Sequence, residues 1–322
     1  MMFFFMCFMT MILPGKTLSL KTNDLYMIYG VVPYHDHLLI PHMGPRGNHF
    51  HSYDKEGNWT YVFGQSGEGP DGFSIALMPS FNNRLSQWLI LDLYRNQLKT
   101  FDTEGRLIAT KSIPSGLHFA QEGKAIGTER GYVFLADAYA DQWLLVETDF
   151  DMNIQRKAHK VFDDRVPYLD SQSYKGFLLE TEAGYVVLES LVSGWTVYDK
   201  MLKEVEQVKT MLPHWRTPDV EVISKLRLDD FRMERHFELH SEIKFAQVID
   251  QTLVLGIRSP GRSDYTYAGF KLNGSRVGEL FHTAQELVGS TDHEAIFSDS
   301  DAEHMEITLV PLHDLLKTQG QE

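Results

Sequence analysis

The chain of 322 residues has a single cysteine, Cys7. That excludes an intramolecular disulfide and any Cys-rich metal site. Positive charge is also scarce: 30 Lys and Arg stand against 44 Asp and Glu, a formal charge of −14. Sequence-independent nucleic-acid binding needs a cationic surface that displaces counterions, so no nucleic-acid partner is expected. Long apolar runs are absent. The one run of note, Met1–Leu13 (MMFFFMCFMTMIL), is shorter than the ~20 residues a helix needs to cross a bilayer. No Pro-, Gly- or Ser-rich linker divides the chain, which argues against two separate sandwiches. Catalytic signatures are missing as well. No H-E-x-x-H, C-x-x-C or G-x-x-x-x-G-K occurs, and Gly64–Glu68 (GQSGE) departs from a nucleophile elbow at its fifth position.

What is present is a folding composition, 43% hydrophobic and 23% charged, in a chain long enough for two domains or one large β-rich domain. Met1–Leu13 has the length of a secretory-signal core. No basic residue precedes it and no small-x-small cleavage site follows it. Residues 1–15 are therefore read as an export signal, cleaved or kept as an anchor, or else as a disordered segment. The expected location is extracytoplasmic, in the periplasm or at the cell surface, with membrane association through the amino terminus only. Removal of the segment leaves a chain without cysteine, compatible with an oxidising compartment.

The rest of the chain repeats. Apolar β-rich runs begin at His37, Trp88, Tyr132, Tyr185, Leu253 and Ala295, at intervals of 51, 44, 53, 68 and 42 residues. They show little alternation, the pattern of strands buried on both faces. A further strand follows several of them, then a tight turn: Asp54–Gly57, Asp102–Gly105 and Leu272–Gly274, with Asp149–Asn153 and Asp199–Leu202 in the same slot without Gly. An Asp opens such a turn by accepting from nearby backbone, and a Gly supplies positive φ. Another strand comes after each turn. Four antiparallel strands per ~40–50 residues make a propeller blade. The expected fold is all-β: a six-bladed β-propeller over residues 16–316, with 317–322 a tail. The sixth unit lacks its outer strand after Ile307–Pro311, and Thr17–Lys21 (TLSLK) is expected to supply it. The long interval holds residues 213–242, read as an insertion between blades four and five.

One unit carries a sharper pattern. Gly64–Phe73 (GQSGEGPDGF) leads into Trp88–Asp92, then Asn96, Leu98–Phe101 and the Asp102–Gly105 turn. This resembles the repeat of NHL-like six-bladed propellers, and the whole is similar to the NHL-like or TolB-like propeller proteins of bacterial envelopes. The sharp match covers residues 64–111; blades three and four lack the Gly-Pro lead-in and the turn Gly. The resemblance implies an exported propeller, often without assigned activity. Six-bladed lactonases and lyases place their sites at the channel mouth, so the resemblance points to that location rather than to a reaction.

Three features are candidates for function. Gly67–Gly72 satisfies G-x-G-x-x-G, but Pro70 removes a donor and a strand rather than a helix follows; the glycines are expected to shape the crossover between blades one and two. His35, His37, His42, His49 and His51 lie within 17 residues, and an H-x-H pair on a strand shares one face and can chelate, although histidines at exposed turns are common. The third feature is the set closing the second strand of each blade: His42, Asp92, Asp137, Glu189, Arg258 and Asp299, with Arg95 beside Asp92. Equivalent positions form a ring around the channel mouth, whose acids suit Ca²⁺ or a cationic ligand, with Arg258 pairing an acid or binding an anion. In NHL-like blades the same Asp commonly caps the following turn instead. Tyr94, Asn96 and Tyr139, with Trp195 and Tyr265 in later loops, would add a recognition surface. The favoured function is an extracytoplasmic binding protein recognising a protein, peptide or glycan through one face. The alternative is a metal-assisted hydrolase or lyase, with Ca²⁺ or Zn²⁺ the candidate ions; no other cofactor is called for.

Overall fold

A computed structural model describes residues 15–21, 28, 30–44, 47–76, 78–119, 124–138, 142–159, 176–217, 219, 239–298 and 305–317. The Met1–Leu13 segment expected to be an export signal, Tyr139, most of the 213–242 insertion, Asp299 and most of the tail lie outside these residues.

The first strand, β1 (Lys16–Ser19), stands apart in the chain from its sheet. Blade one follows with β2 (Val32–Tyr34), β3 (His37–Gly44), β4 (Gly47–Asp54) and β5 (Trp59–Phe63), and a short parallel pair, β6 (Gln65–Ser66) and β7 (Gly72–Phe73), marks the crossover. Blade two is β8 (Ser80–Asn82), β9 (Gln87–Asp92), β10 (Gln97–Phe101) and β11 (Leu107–Ser112). In blade three the innermost strand is split into β12 (His118–Phe119) and β13 (Ala125–Gly127); β14 (Gly131–Ala138), β15 (Gln142–Asp149) and β16 (Ile154–His159) complete it. Blade four is β17 (Gly176–Glu180), β18 (Gly184–Glu189), β19 (Gly194–Asp199) and β20 (Glu204–Lys209). Blade five is β21 (Glu242–Ile249), β22 (Thr252–Arg258), β23 (Tyr265–Phe270) and β24 (Arg276–Thr283). Blade six holds β25 (Glu286–Ser290), β26 (Glu294–Ser298) and β27 (Glu306–Pro311), and a single turn of helix, α1 (Leu312–Leu315), ends the fold.

Each blade is an antiparallel meander, and the expected six-bladed propeller is the observed fold. The innermost strands touch their neighbours around the axis, β2 meeting both β8 and β25, so the ring is closed. Blade six is completed from the chain start: β1 pairs β27 in the register Thr17↔Thr308 and Leu18↔Ile307. An outer β27 edge would otherwise offer unpaired N–H and C=O groups to other chains.

Six apolar layers, one between each pair of blades, hold the ring. Successive residues of a second strand feed opposite layers. Trp88 and Ile90 join Leu39, Phe50, Phe63 and Phe101 between blades one and two, whereas Leu89 and Leu91 join Ala125, Tyr132 and Phe134 between blades two and three. Tyr185 and Val187 face blade three while Val186 and Leu188 face blade five. This two-sided burial removes the alternation that a half-exposed strand would show.

The turns closing the third strand against the fourth share one chemistry. Asp54 Oδ1 accepts the backbone N–H groups of Glu56 and Asn58; Asp102, Asp149 and Asp199 do the same two and four residues on. The residue at the fourth position has positive φ: Gly57 (81°), Gly105 (79°), Met152 (66°) and Leu202 (58°). Met152 and Leu202 accept the left-handed backbone because their side chains fill interblade layers.

Two outcomes check this account. Leu18→Ala removes buried surface from the blade six–one layer and should lower unfolding stability by about 2–3 kcal/mol, read from urea midpoints. Gly105→Ala should cost more than Gly116→Ala. Both have φ near +80°, but a Cβ at Gly105 would lie 2.4 Å from Phe63 Cβ whereas Gly116 faces open space. Equal midpoints for the two variants would remove the close blade contact from the account.

Candidate ligand-binding face

The second strands end, and the crossovers between blades enter, at one face of the ring. Of the predicted ring residues, Asp92 and Arg258 take separate partners there, and the side chains of Asp137 and Asp299 lie outside the described residues. Asp92 is fully buried and accepts from Ser74 N at 3.1 Å, from the Ser74 hydroxyl and from Ile75 N at 3.4 Å. It therefore reaches back to the crossover before its blade, not forward to its own turn. Arg95 lies 3.8 Å from Asp92 and donates to the carbonyls of Gly72 (3.0 Å) and Gly67 (2.5 Å). Lys99, 1% exposed, donates to the carbonyls of Pro70 (2.9 Å) and Gly72 and stands 5.1 Å over the Phe73 ring. Burial pushes the Lys99 ammonium below its usual range, and the Asp92 charge opposes that. The Gly67–Gly72 loop thus presents carbonyls to two cations. A dinucleotide loop presents N–H groups to an anion, so the polarity here is reversed and the loop is a crossover, as expected.

The remaining ring positions divide among the blades. Asp137 sits in β14 opposite His118 and Trp143. Glu189 is buried at the end of β18; its carbonyl accepts Val192 N, and Ser190 O accepts Ile243 N at 2.7 Å, tying blade four to the inner strand of blade five. Arg258 pairs across strands with Glu242, Nη2 to Oε2 at 2.9 Å, and Glu242 Oε1 also lies 3.1 Å from Lys244 Nζ. Tyr265, opposite Arg258 on β23, donates its hydroxyl to Glu286 Oε1 at 3.0 Å. Burial, reinforced by Glu286, pushes the Tyr265 phenol up to about 12. Farther out, Arg262 forks onto Asp264 (3.0 and 3.2 Å), and Asp264 lies 3.9 Å from His282. Burial, then the Arg262 charge, holds the His282 imidazole below its ordinary range.

The charged group on blades five and six is thus Lys244, Glu242, Arg258, Tyr265 and Glu286. Sequence reasoning placed Arg258 there and named Tyr265 as an aromatic. It missed Glu242, Lys244 and Glu286, which open or nearly open the innermost strands. Those strands carry no repeated signature, and only an acid at the first position of both β21 and β25 marks them.

The five clustered histidines separate. His35 and His37 lie at the turn end of β3 and, with Tyr34, Asp36, Tyr61 and Thr103, line a cleft of about 310 Å³ on the opposite face. His42 and His49 lie toward the other end, and His51 sits at mid-strand opposite Ile40. Trp195, expected in a loop, is instead buried in β19 and donates Nε1–H to Leu272 O at 2.8 Å; its bulk fills the layer between blades four and five. Tyr94 is 73% exposed. Among the described residues, no group of three or more His, Cys, Asp or Glu could hold a metal ion.

Lys99→Met would strand the carbonyls of Pro70 and Gly72 in a buried site. It should lower stability by about 1–3 kcal/mol in urea unfolding. An unchanged midpoint would mean that Lys99 does not secure the crossover.

No protein-family model and no curated protein matches this chain. Solved structures resemble it in fold. An exported-protein candidate from Bacteroides fragilis superposes with a TM-score of 0.65 at 13% identity, covering 93% of this chain and 95% of its own. A DUF4221-family protein from Bacteroides vulgatus gives 0.64 at 8% identity, covering 92% and 97%. A gluconolactonase from Xanthomonas campestris gives 0.54 at 11% identity, covering 92% and 90%. At these identities the likeness extends to the six-bladed propeller and no further.

Proposed function

We propose that the protein is an exported, NHL-like or TolB-like propeller that binds a protein, peptide or glycan through the face where the second strands end. The observation that carries this reading is the group Lys244, Glu242, Arg258, Tyr265 and Glu286. It gathers both signs of charge and an amphipathic ring at the rim of blades five and six. The Arg258 side chain is 37% exposed, so a ligand carboxylate or hydroxyl can share its guanidinium without unfolding anything. Arg and Tyr at a partly desolvated rim are the residue types that dominate recognition energies. The apolar Met1–Leu13 segment supports export, and the resemblance of residues 64–111 supports the NHL-like assignment. Among the described residues, no helix is long and apolar enough to cross a membrane.

A metal-assisted hydrolase or lyase has less support. It needs the acidic ring or the histidine cluster to hold a metal at the channel; Asp92 is committed to Ser74 and Ile75, and no group of three or more His, Cys, Asp or Glu among the described residues could hold a metal ion.

The test is a screen of the full chain on peptide and glycan arrays, repeated with Arg258→Ala and Glu286→Gln. A ligand of this face should bind Arg258→Ala about tenfold or more weakly, with the melting point little changed. Binding indifferent to both substitutions, or no retained peptide or glycan, would overturn the reading.

A further inference from the structure

The apolar layer between blades one and two stays open at the face opposite the charged rim. It ends in the cleft of about 310 Å³ that Tyr34, His35, Asp36, His37, Tyr61 and Thr103 line. Tyr34 ends β2, His35 and Asp36 make the two-residue turn, and His37 opens β3. Strand alternation puts His37 on the same face as Leu39, which belongs to the blade one–two layer. Tyr61 comes from β5, and Thr103 from the Asp102–Gly105 turn of blade two.

The walls of this cleft are held in place by the fold. The Tyr34 ring packs on Phe81 and Trp88, with centroids 3.9 and 5.2 Å away. Tyr61 donates its hydroxyl to Thr103 O at 2.6 Å, across the blade boundary. His35 lies 4.4 Å from Tyr34, ring to ring. Its backbone is left-handed, with φ 49°, at the first central position of a two-residue hairpin, where glycine is favoured. A histidine there keeps a strained backbone and adds a ring to the cleft. His37 Nδ1 is buried with no hydrogen-bond partner among the described residues. The terminal torsion of a histidine is soft, so rotation of the ring can bring that nitrogen to a ligand.

Charge and chemistry select the ligand class. Asp36 carries its own cation, Lys55, at 3.1 Å. The other lining groups are two phenols, two imidazoles and the Thr103 hydroxyl and carbonyl. Among the lining residues no fixed charge lacks a partner, so neither an anion nor a cation is favoured. Phenol, imidazole and hydroxyl groups both donate and accept, which matches a ligand whose own groups do both. Aromatic faces are apolar and weakly negative, and take the C–H face of a saturated ring. The volume sits at the small end of the ~300–1,000 Å³ typical of small-molecule sites. We infer that this cleft binds one pyranose unit of an uncharged carbohydrate, its C–H face against the Tyr34 and His35 rings and its hydroxyls shared among Asp36, His37 and Thr103. The cleft does not involve the Arg258 group, so it stands or falls separately from the function proposed above.

The experiment is saturation-transfer NMR on the full-length chain with the methyl glycosides of glucose, galactose, mannose and N-acetylglucosamine, followed by titration of the best binder. Saturable binding is expected, with transfer strongest to the ring C–H protons. His35→Gly should weaken it about three- to tenfold, while the melting point holds or rises because glycine relieves the left-handed backbone. His37→Ala should also weaken it. Arg258→Ala, on the opposite face, should leave the Kd unchanged, and the charged sugars glucosamine and glucuronate should bind more weakly than glucose. No saturable binding of any of the neutral sugars, a Kd indifferent to both His35→Gly and His37→Ala, a Kd that moves with Arg258→Ala alone, or tighter binding of a charged sugar overturns the proposal.

Discussion

Every blade of this protein is a sheet with two apolar faces, and a sheet of that kind is stable only when both faces are covered. A single blade has no interior of its own. The ring supplies cover by making each blade the lid of its neighbours, so that six layers take the place of one central core. Closure is then obligatory rather than ornamental. With β1 absent from β27, the last layer would lose Leu18 and Leu20, and an edge would open to solvent. Hydrophobic burial drives the assembly, and the strand pairing between the two ends of the chain decides where it stops.

The same constraint governs the charged residues. Where a polar side chain falls within a layer, it arrives with partners. Glu147, whose side chain is 2% exposed, is held by Arg130 and Arg156, and Arg130 also reaches Lys200 O on the next blade. Asp92, Arg95 and Lys99 bind a crossover to the blade that it enters. An ion pair of this sort contributes little net stability by itself, because desolvation offsets most of the attraction. It does specify which blade sits beside which. Other charges lie at the rim, where the layers end and water begins, among them the Lys244, Glu242, Arg258 and Glu286 group of blades five and six.

Much of the architecture was legible. Runs such as Trp88–Asp92 and Leu253–Arg258 showed strand spacing without alternation, which is what burial on both faces leaves in a sequence. The Asp-led turns were legible because an Asp side chain imitates the backbone over a fixed distance of two and four residues. The innermost strands were less so: Ser80–Asn82 and Ala125–Gly127 are three residues each, too short to show a period. The ring of strand ends was drawn by equivalence of position, yet equivalent backbone positions do not oblige side chains to point alike. Asp92 turns back to Ser74, and Arg258 turns to Glu242. Trp195 read as a loop aromatic because a short Gly-led strand resembles a loop until its partner strands are known.

The amino-acid sequence by itself determined the fold class, the number of blades, the turns and the strand that closes the ring. These depend on local patterns, namely apolar period, Asp and Gly at fixed offsets, and an unpartnered strand at each end. Tertiary structure alone decided which charged groups are spent within the fold and which remain at the rim. It also separated five neighbouring histidines along the blade, because β3 runs from one side of the ring to the other. Sequence distance along such a strand says little about shared chemistry; the register with β4 put His42 beside His49 and His51 and left His35 and His37 on the far side.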